Sequence, residues 1–241
     1  MKKLLLVLLS FVLLFSCENK ADKKITAQML INKYTGKGVC FLPNVGRYSG
    51  EFKDGMRHGQ GNFYPAYGDN WVQNQGYRGE WKYDMRHGEG TFYGDELTYE
   101  GEWEYDKWNG KGICYFRSGF ETAGSGREDE YSGEWKDGKR HGQGKERIKR
   151  KSNPRILIYE GEWKDDKRSG KGRFYTSTEG GWSYEGEWKD DKMNGQFKVI
   201  SERSEGTSGF LRKFKDGKQW DEYEQQWSEP RFYIPPTQSF E

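Results

Sequence analysis

Three histidines, His58, His87 and His141, and a recurring glutamate, at Glu51, Glu80, Glu102, Glu134, Glu162 and Glu187, are the side chains here that could bind a metal ion or move a proton. A catalytic or ligating residue should stand apart from its surroundings, and these do not. Each His sits between Arg and Gly, and each Glu between Gly and an aromatic residue. They recur at one offset of a repeated unit. Neighbouring units of two strands each lie about 10 Å apart, too far for their side chains to share one ion. The His and Glu are therefore expected on a solvated face, with no catalytic, metal-binding or cofactor role. The Gly-x-Gly that follows each such His lacks the strand, glycine turn and helix of a nucleotide site, and reads as packing glycines.

The unit that carries them is Tyr131-Ser-Gly-Glu-Trp-Lys-Asp-Gly-Lys-Arg-His-Gly-Gln-Gly144, with further copies from Tyr48, Tyr77, Tyr99, Tyr159 and Tyr184. A decayed copy begins at Phe210, and Gly36-Lys37-Gly38 is the end of a truncated first one. With the Tyr as position 1, the Gly at position 12 follows at the same distance in all six full copies, while anchors are spaced 22 to 32 residues apart. A rigid unit joined by variable loops is the signature of a repeat array. Position 8 is always Gly or Asp, as a two-residue hairpin turn with positive φ requires. Closing the hairpin there sets position 5 opposite 10, 3 opposite 12, 2 opposite 13 and 1 opposite 14. That register pairs Arg78 with Glu89 and Glu100 with Lys111. Tyr, Gly, Trp and Phe then share one face, and Glu, Lys and His the other. Each hairpin is marginal alone, and stacking edge to edge makes one sheet.

The expected fold is all-β: an elongated, single, twisted antiparallel sheet of tandem hairpins over residues 34–220, followed by a C-terminal tail over 221–241 that either packs on the last hairpin or stays free. Composition agrees. Aromatic residues make up 17% and charged residues 32%, and aliphatic runs are few outside residues 4–14, which suits many strands around a thin aromatic core. Residues 1–16 form a basic start and an apolar run of secretory type, and 17–33 a tether with a possible short helix. Without residues 1–16 the side chains balance at 38 basic and 38 acidic, which removes global steering toward nucleic acid.

Two resemblances follow. Leu14-Phe15-Ser16-Cys17 resembles the lipobox of bacterial lipoproteins, with Phe15 where a small residue is usual. It implies acylation of Cys17, export and a lipid anchor in a bacterial membrane; the alternative is ordinary cleavage beside an incidental Cys. The repeat resembles the MORN repeat over about three quarters of the chain. That resemblance implies an extended sheet of hairpins, a non-enzymatic role in protein interaction and assembly, and for some members an association with membrane phospholipids.

Two surfaces are candidates for contact. The aromatic stripe of Tyr77, Trp81, Tyr99, Trp103, Tyr131 and Trp135 would face a protein partner if the loops leave it open, and would be core if they fold over it. The same stripe, if exposed, supports an alternative reading as a carbohydrate-binding module of the cell envelope. Lys145, Arg147, Lys149, Arg150, Lys151 and Arg155 form the one strong basic cluster, either a solvated strand end or a contact for lipid headgroups or an acidic partner. Cys40 and Cys114, both at position 16, are expected as unpaired buried apolar residues three copies apart.

Overall fold

A computed structural model describes residues 23–67, 70, 71, 75–116, 129–150, 153–176, 181–203, 206–221 and 226–228. The chain is a succession of hairpins. Strand β1 (Lys24–Ile25) and helix α1 (Ala27–Ile31) precede β2 (Gly36–Leu42), β3 (Gly46–Lys53), β4 (Met56–Tyr67) and the short β5 (Asn70–Trp71). Then come β6 (Gly76–Lys82), β7 (Met85–Tyr93), β8 (Leu97–Glu104), β9 (Lys107–Phe116), β10 (Asp129–Lys136) and β11 (Lys139–Arg150). The C-terminal part holds β12 (Asn153–Lys164), β13 (Lys167–Thr176), β14 (Trp182–Lys189), β15 (Lys192–Arg203), β16 (Gly206–Lys215), β17 (Lys218–Asp221) and β18 (Gln226–Ser228). From β2 to β18 each strand pairs antiparallel with the next, except that β4 pairs with β6 and carries β5 as a side hairpin. The expected single sheet of tandem hairpins is thus the observed fold.

The turns follow from their residues. Positions 7 and 8 both have positive φ in every copy, for example Asp137 at 52° with Gly138 at 84°, and Asp165 at 49° with Asp166 at 67°. This is the type I′ geometry whose twist matches the strands it joins, and Asp and Gly tolerate it best.

The expected register holds only beside the turn. Trp135 lies opposite Arg140 and Glu134 opposite His141, but Gly133 then pairs with Gly144, Ser132 with Lys145 and Tyr131 with Glu146. Positions 12 and 13 form a bulge, in which Gly142 has φ 59°. The pairing of Arg78 with Glu89 and of Glu100 with Lys111 is therefore incorrect. Arg78 faces Thr91 and Asn62, and Glu100 faces Ile113 and Thr91. The physical reason lies in the recurring glutamate: its carboxylate accepts the N–H of position 13, at 3.0 Å from Gln143 to Glu134 and 2.7 Å from Lys111 to Glu102. Glu80, Glu102, Glu134 and Glu162 thus hold their bulges open instead of standing idle in solvent.

The bulge lets the tyrosine ring cross its own hairpin. A Cβ on Gly144 would lie 2.2 Å from the Tyr131 hydroxyl oxygen, so only glycine fits beneath the ring. The sixth full copy reverses this arrangement, since Phe197 holds position 14 and its ring covers Gly186 at position 3.

Both ends depart from the expected boundaries. The proposed tether over 17–33 is a packed cap wherever it is described; residues 17–22 lie outside the described part. Strand β1 runs parallel to β2, Ile25 is buried over Gly38, and Tyr34 takes the place of position 10 of the missing copy and packs on Phe52. Thr26 caps α1 by accepting the Met29 N–H. A bare first strand would template unwanted pairing, and this segment covers it. At the other end, β18 pairs with β17, with Trp220 opposite Trp227, so the tail contributes a strand to the sheet.

Replacing Gly144 with Ala is expected to destabilise the chain by at least about 3 kcal/mol in urea unfolding, because Tyr131 must leave its seat. Ser132→Ala, on the other face, is expected to change stability by less than about 0.5 kcal/mol. Equal effects of the two would refute the seating of the ring.

Candidate functional site

Strand alternation sends positions 1, 5, 10 and 16 to one face, and there the chain packs its aromatic residues against one another. Tyr131 meets Trp135 of its own copy edge-on at 4.9 Å and Trp163 of the next at 5.3 Å. Tyr77, Trp81 and Trp103 repeat the pattern, both distances being 5.2 Å. The hydroxyls of Tyr48, Tyr77, Tyr99, Tyr131 and Tyr159 each donate to the carbonyl of their own position 4, at 3.0 Å from Tyr131 to Glu134 and 2.9 Å from Tyr99 to Glu102. Every indole N–H donates backwards to the position 14 glycine of the preceding copy, as Trp135 does to Gly112 at 3.1 Å and Trp103 to Gly90 at 3.0 Å.

The six residues expected as a partner-binding stripe are accordingly core. Tyr77, Trp81, Tyr99, Trp103, Tyr131 and Trp135 are between 0% and 5% exposed. The expectation that some remain accessible is corrected, and the carbohydrate reading loses the exposed rings on which it rested. Each of Tyr77, Tyr99 and Tyr131 lies between its glycine, two tryptophans and the side chain at position 10, so the ladder packs against itself.

Position 10 is the element that residue-by-residue reading missed. Arg57, Arg86, Arg140 and Arg168 occupy it in four copies, and each guanidinium lies over the tryptophan of the next copy, 4.2 Å from Trp81 in the case of Arg57 and 4.4 Å from Trp163 for Arg140. Each also meets the position 8 aspartate of that next copy. Arg86 reaches Asp106 Oδ1 with both its backbone N–H, at 2.9 Å, and its Nε, at 2.8 Å, and Arg57, Arg140 and Arg168 do the same with Asp84, Asp166 and Asp191. The backbone closes the link, since Asp106 N–H donates to the Arg86 carbonyl. Where position 10 is instead Trp108 or Met193, the next position 8 is Gly138 or Gly217, and the backbone bond from position 8 remains without the Arg–Asp pair. Trp108 fills the slot by stacking on Tyr99 at 4.6 Å. This covariation between copies is visible in the sequence. It is the signal that would have placed arginine on the aromatic face.

Glu146 stands at position 16, where other copies have Phe, Cys or Val, and Arg140 donates to it at 2.7 Å. Burial is the main cause that pushes its carboxyl above the usual range, against the pull of Arg140 and Arg168. The phenols of Tyr48, Tyr77, Tyr99, Tyr131 and Tyr159 are likewise raised well above their ordinary value, mainly by burial. Cys40 and Cys114 are free and buried, as expected, and the Cys114 thiol is pushed up to about 12.

The polar face carries the histidines. His58 and His141 lie opposite Glu51 and Glu134, and His58 and His87 meet the rings of Tyr83 and Tyr105 at 5.8 Å and 5.0 Å. Among the described residues no group of three or more His, Cys, Asp or Glu side chains is placed to hold a metal ion. Of the basic cluster, Lys145 reaches Glu160 at 3.7 Å and Arg147 reaches Glu130 at 3.8 Å. Lys149 and Arg150 belong to β11 and Arg155 to β12, while Lys151 and Cys17 lie outside the described residues.

Two measurements check this reading. The buried phenols stay protonated in the folded chain and ionise above pH ~10 once it unfolds, so each lowers stability by about 1.4 kcal/mol per pH unit beyond that point. Stability is full below pH ~10, and a steep alkaline unfolding is expected above it, with tyrosinate absorbance rising together with loss of circular dichroism. A gradual tyrosine titration in a folded chain would contradict the burial. In a double-mutant cycle, Asp106→Gly alone is expected to cost about 2 kcal/mol by stranding Arg86, and adding Arg86→Met is expected to recover at least half. Strict additivity would show that the Arg–Asp link carries nothing.

The MORN repeat family matches the chain over residues 48–65, 77–96, 99–120, 131–149, 159–178 and 184–196, which coincide with the six full hairpins. No curated protein matches the chain. With the unit, its register and its inter-copy contacts all recurring from copy to copy, the chain belongs to the MORN-repeat family.

Proposed function

We propose that this chain is a non-enzymatic scaffold of the bacterial cell envelope, lipid-anchored through Cys17, that holds protein partners on the polar face and turns of its sheet. MORN repeats themselves indicate a repeat scaffold for protein or membrane interaction. The observation that carries the non-enzymatic reading is that the repeated chemistry is committed to the array. The position 4 glutamates bind the bulges, the position 8 aspartates bind the arginines, and the tyrosine hydroxyls bind backbone carbonyls. A side chain spent on structure in copy after copy is not poised for turnover.

With the aromatic face buried, a partner must meet the other face. That face offers charged side chains and the exposed turn rings of Tyr83 and Tyr105. The run from Lys145 to Arg155 supplies a further contact for anionic groups, phospholipid headgroups included, with two of its cations already matched by Glu160 and Glu130. The apolar run before Cys17 supports export and anchoring, with acylation making Cys17 the mature N-terminus.

Metabolic labelling with a fatty acid is expected to tag the wild type and to miss Cys17→Ala. Equal labelling of both would remove the anchor from the proposal. Affinity capture from the envelope, compared between wild type and a Tyr83→Ala/Tyr105→Ala double variant, tests the scaffold itself. A changed partner set in a folded variant is the expected result.

A further inference from the structure

The array repeats one arginine in different surroundings, and its copies differ in a telling way. In the fourth full copy the Arg140 guanidinium serves three acceptors. Nε meets Asp166 Oδ1 at 3.2 Å, Nη2 the Asp166 carbonyl at 3.1 Å, and Nη1 the Glu146 carboxylate at 2.7 Å. Arg57 and Arg86 repeat the first two contacts, with Nη2 reaching the carbonyls of Asp84 at 2.7 Å and Asp106 at 3.2 Å. They have no counterpart of the third. Position 16 is Phe63 in one copy and Phe92 in the other, and among the described residues nothing accepts from either Nη1.

These two arginines are also the open ones. The side chains of Arg140 and Arg168 are 0% and 1% exposed, against 23% for Arg57 and 27% for Arg86. Between the open pair lies a cavity of about 430 Å³, a volume within the range of small-molecule sites. Tyr77 and Trp81 line it below, Phe63 and Phe92 line its sides, and at its loop end Gln75 donates to Asp95. One end therefore offers charged N–H donors, and the rest offers aromatic carbon.

We infer that this cavity binds a small carboxylic acid with a flat apolar body, its carboxylate accepting from Arg57 Nη1 as Glu146 does from Arg140, with Arg86 as the second cation across the cavity. Glu146 supplies the precedent for the charge: an arginine already paired with an aspartate holds a second carboxylate in this same fold. A guanidinium can do so because its donors form a rigid planar fork with more than one usable edge. The apolar body covers Phe63 and Phe92, which are only half-buried without it, and burying them favours binding. The cavity is too small for a protein, so the inference is independent of the polar face and its partners.

Isothermal titration of the full-length chain with hydrocinnamate tests this, with hydrocinnamamide as its uncharged twin. The acid is expected to bind with a Kd of about 1 mM or tighter, and the amide at least about tenfold more weakly. Binding is expected to shift the indole N–H resonance of Trp81 and to leave that of Trp188 in place. Phe63→Glu gives the site its own carboxylate, as in the fourth copy, and is expected to abolish binding. Arg57→Met with Asp84→Gly reproduces the Met193 and Gly217 pairing found further along the chain. It is expected to weaken binding at least about tenfold, and it decides the matter if circular dichroism shows Phe63→Glu unfolded. No binding of the acid by the wild type at about 10 mM overturns the inference. Equal affinity for acid and amide, or unchanged binding in a folded variant, overturns it as well.

Discussion

The contact on which everything else depends is the tyrosine ring seated on the glycine of the opposite strand. A two-residue bulge at positions 12 and 13 brings that glycine under the ring, and a carboxylate from position 4 holds the bulge. The seated tyrosine then presents an edge or face to the tryptophans on either side. Its hydroxyl is satisfied inside its own copy and the indole N–H in the copy before. A buried polar group without a partner would cost a few kcal/mol, so the paired donors are what allow aromatic residues in place of aliphatic ones. The core is one ring thick, and it closes on itself because each copy covers part of its neighbour.

This constraint explains why the arginines lie on the aromatic face. A guanidinium is planar and weakly hydrated, and it can lie on an indole while its edge donates to a carboxylate. At position 10 it caps the ladder where a second layer would otherwise be needed. Trp108 and Met193 do the same job with an apolar side chain, and the aspartate that would have met the arginine is then Gly138 or Gly217. The link between copies is therefore a pair of positions chosen together. This is how a one-dimensional array passes stability from each unit to the next.

Much of this was legible in the sequence. The hairpins, their I′ turns at Asp137-Gly138 and its counterparts, the single sheet and the buried thiols of Cys40 and Cys114 follow from spacing and residue type. The register beyond position 4 did not, because a regular hairpin and a bulged one place the same residue types on the same faces. The apparent charge match of Arg78 with Glu89 arose from an offset of two, which preserves strand parity. Accessibility of Tyr99 or Trp135 was also hidden, since burial in a one-layer sheet depends on contacts between copies that no single unit displays. The cap built from Ile25 and Tyr34 eluded the repeat pattern because it replaces a missing strand with unrelated residues.

The central claim is that the aromatic face is a closed core. Hydrogen exchange of the indole N–H groups, followed by NMR on the folded chain, tests it most directly. The account predicts slow exchange for Trp81, Trp103, Trp135, Trp163 and Trp188, whose N–H groups are bonded to glycine carbonyls of the preceding copy. Trp182, 37% exposed, should exchange fast and mark the open limit. If those five indoles exchange as fast as Trp182 while the backbone amides of the sheet stay protected, the face is open and the account is wrong.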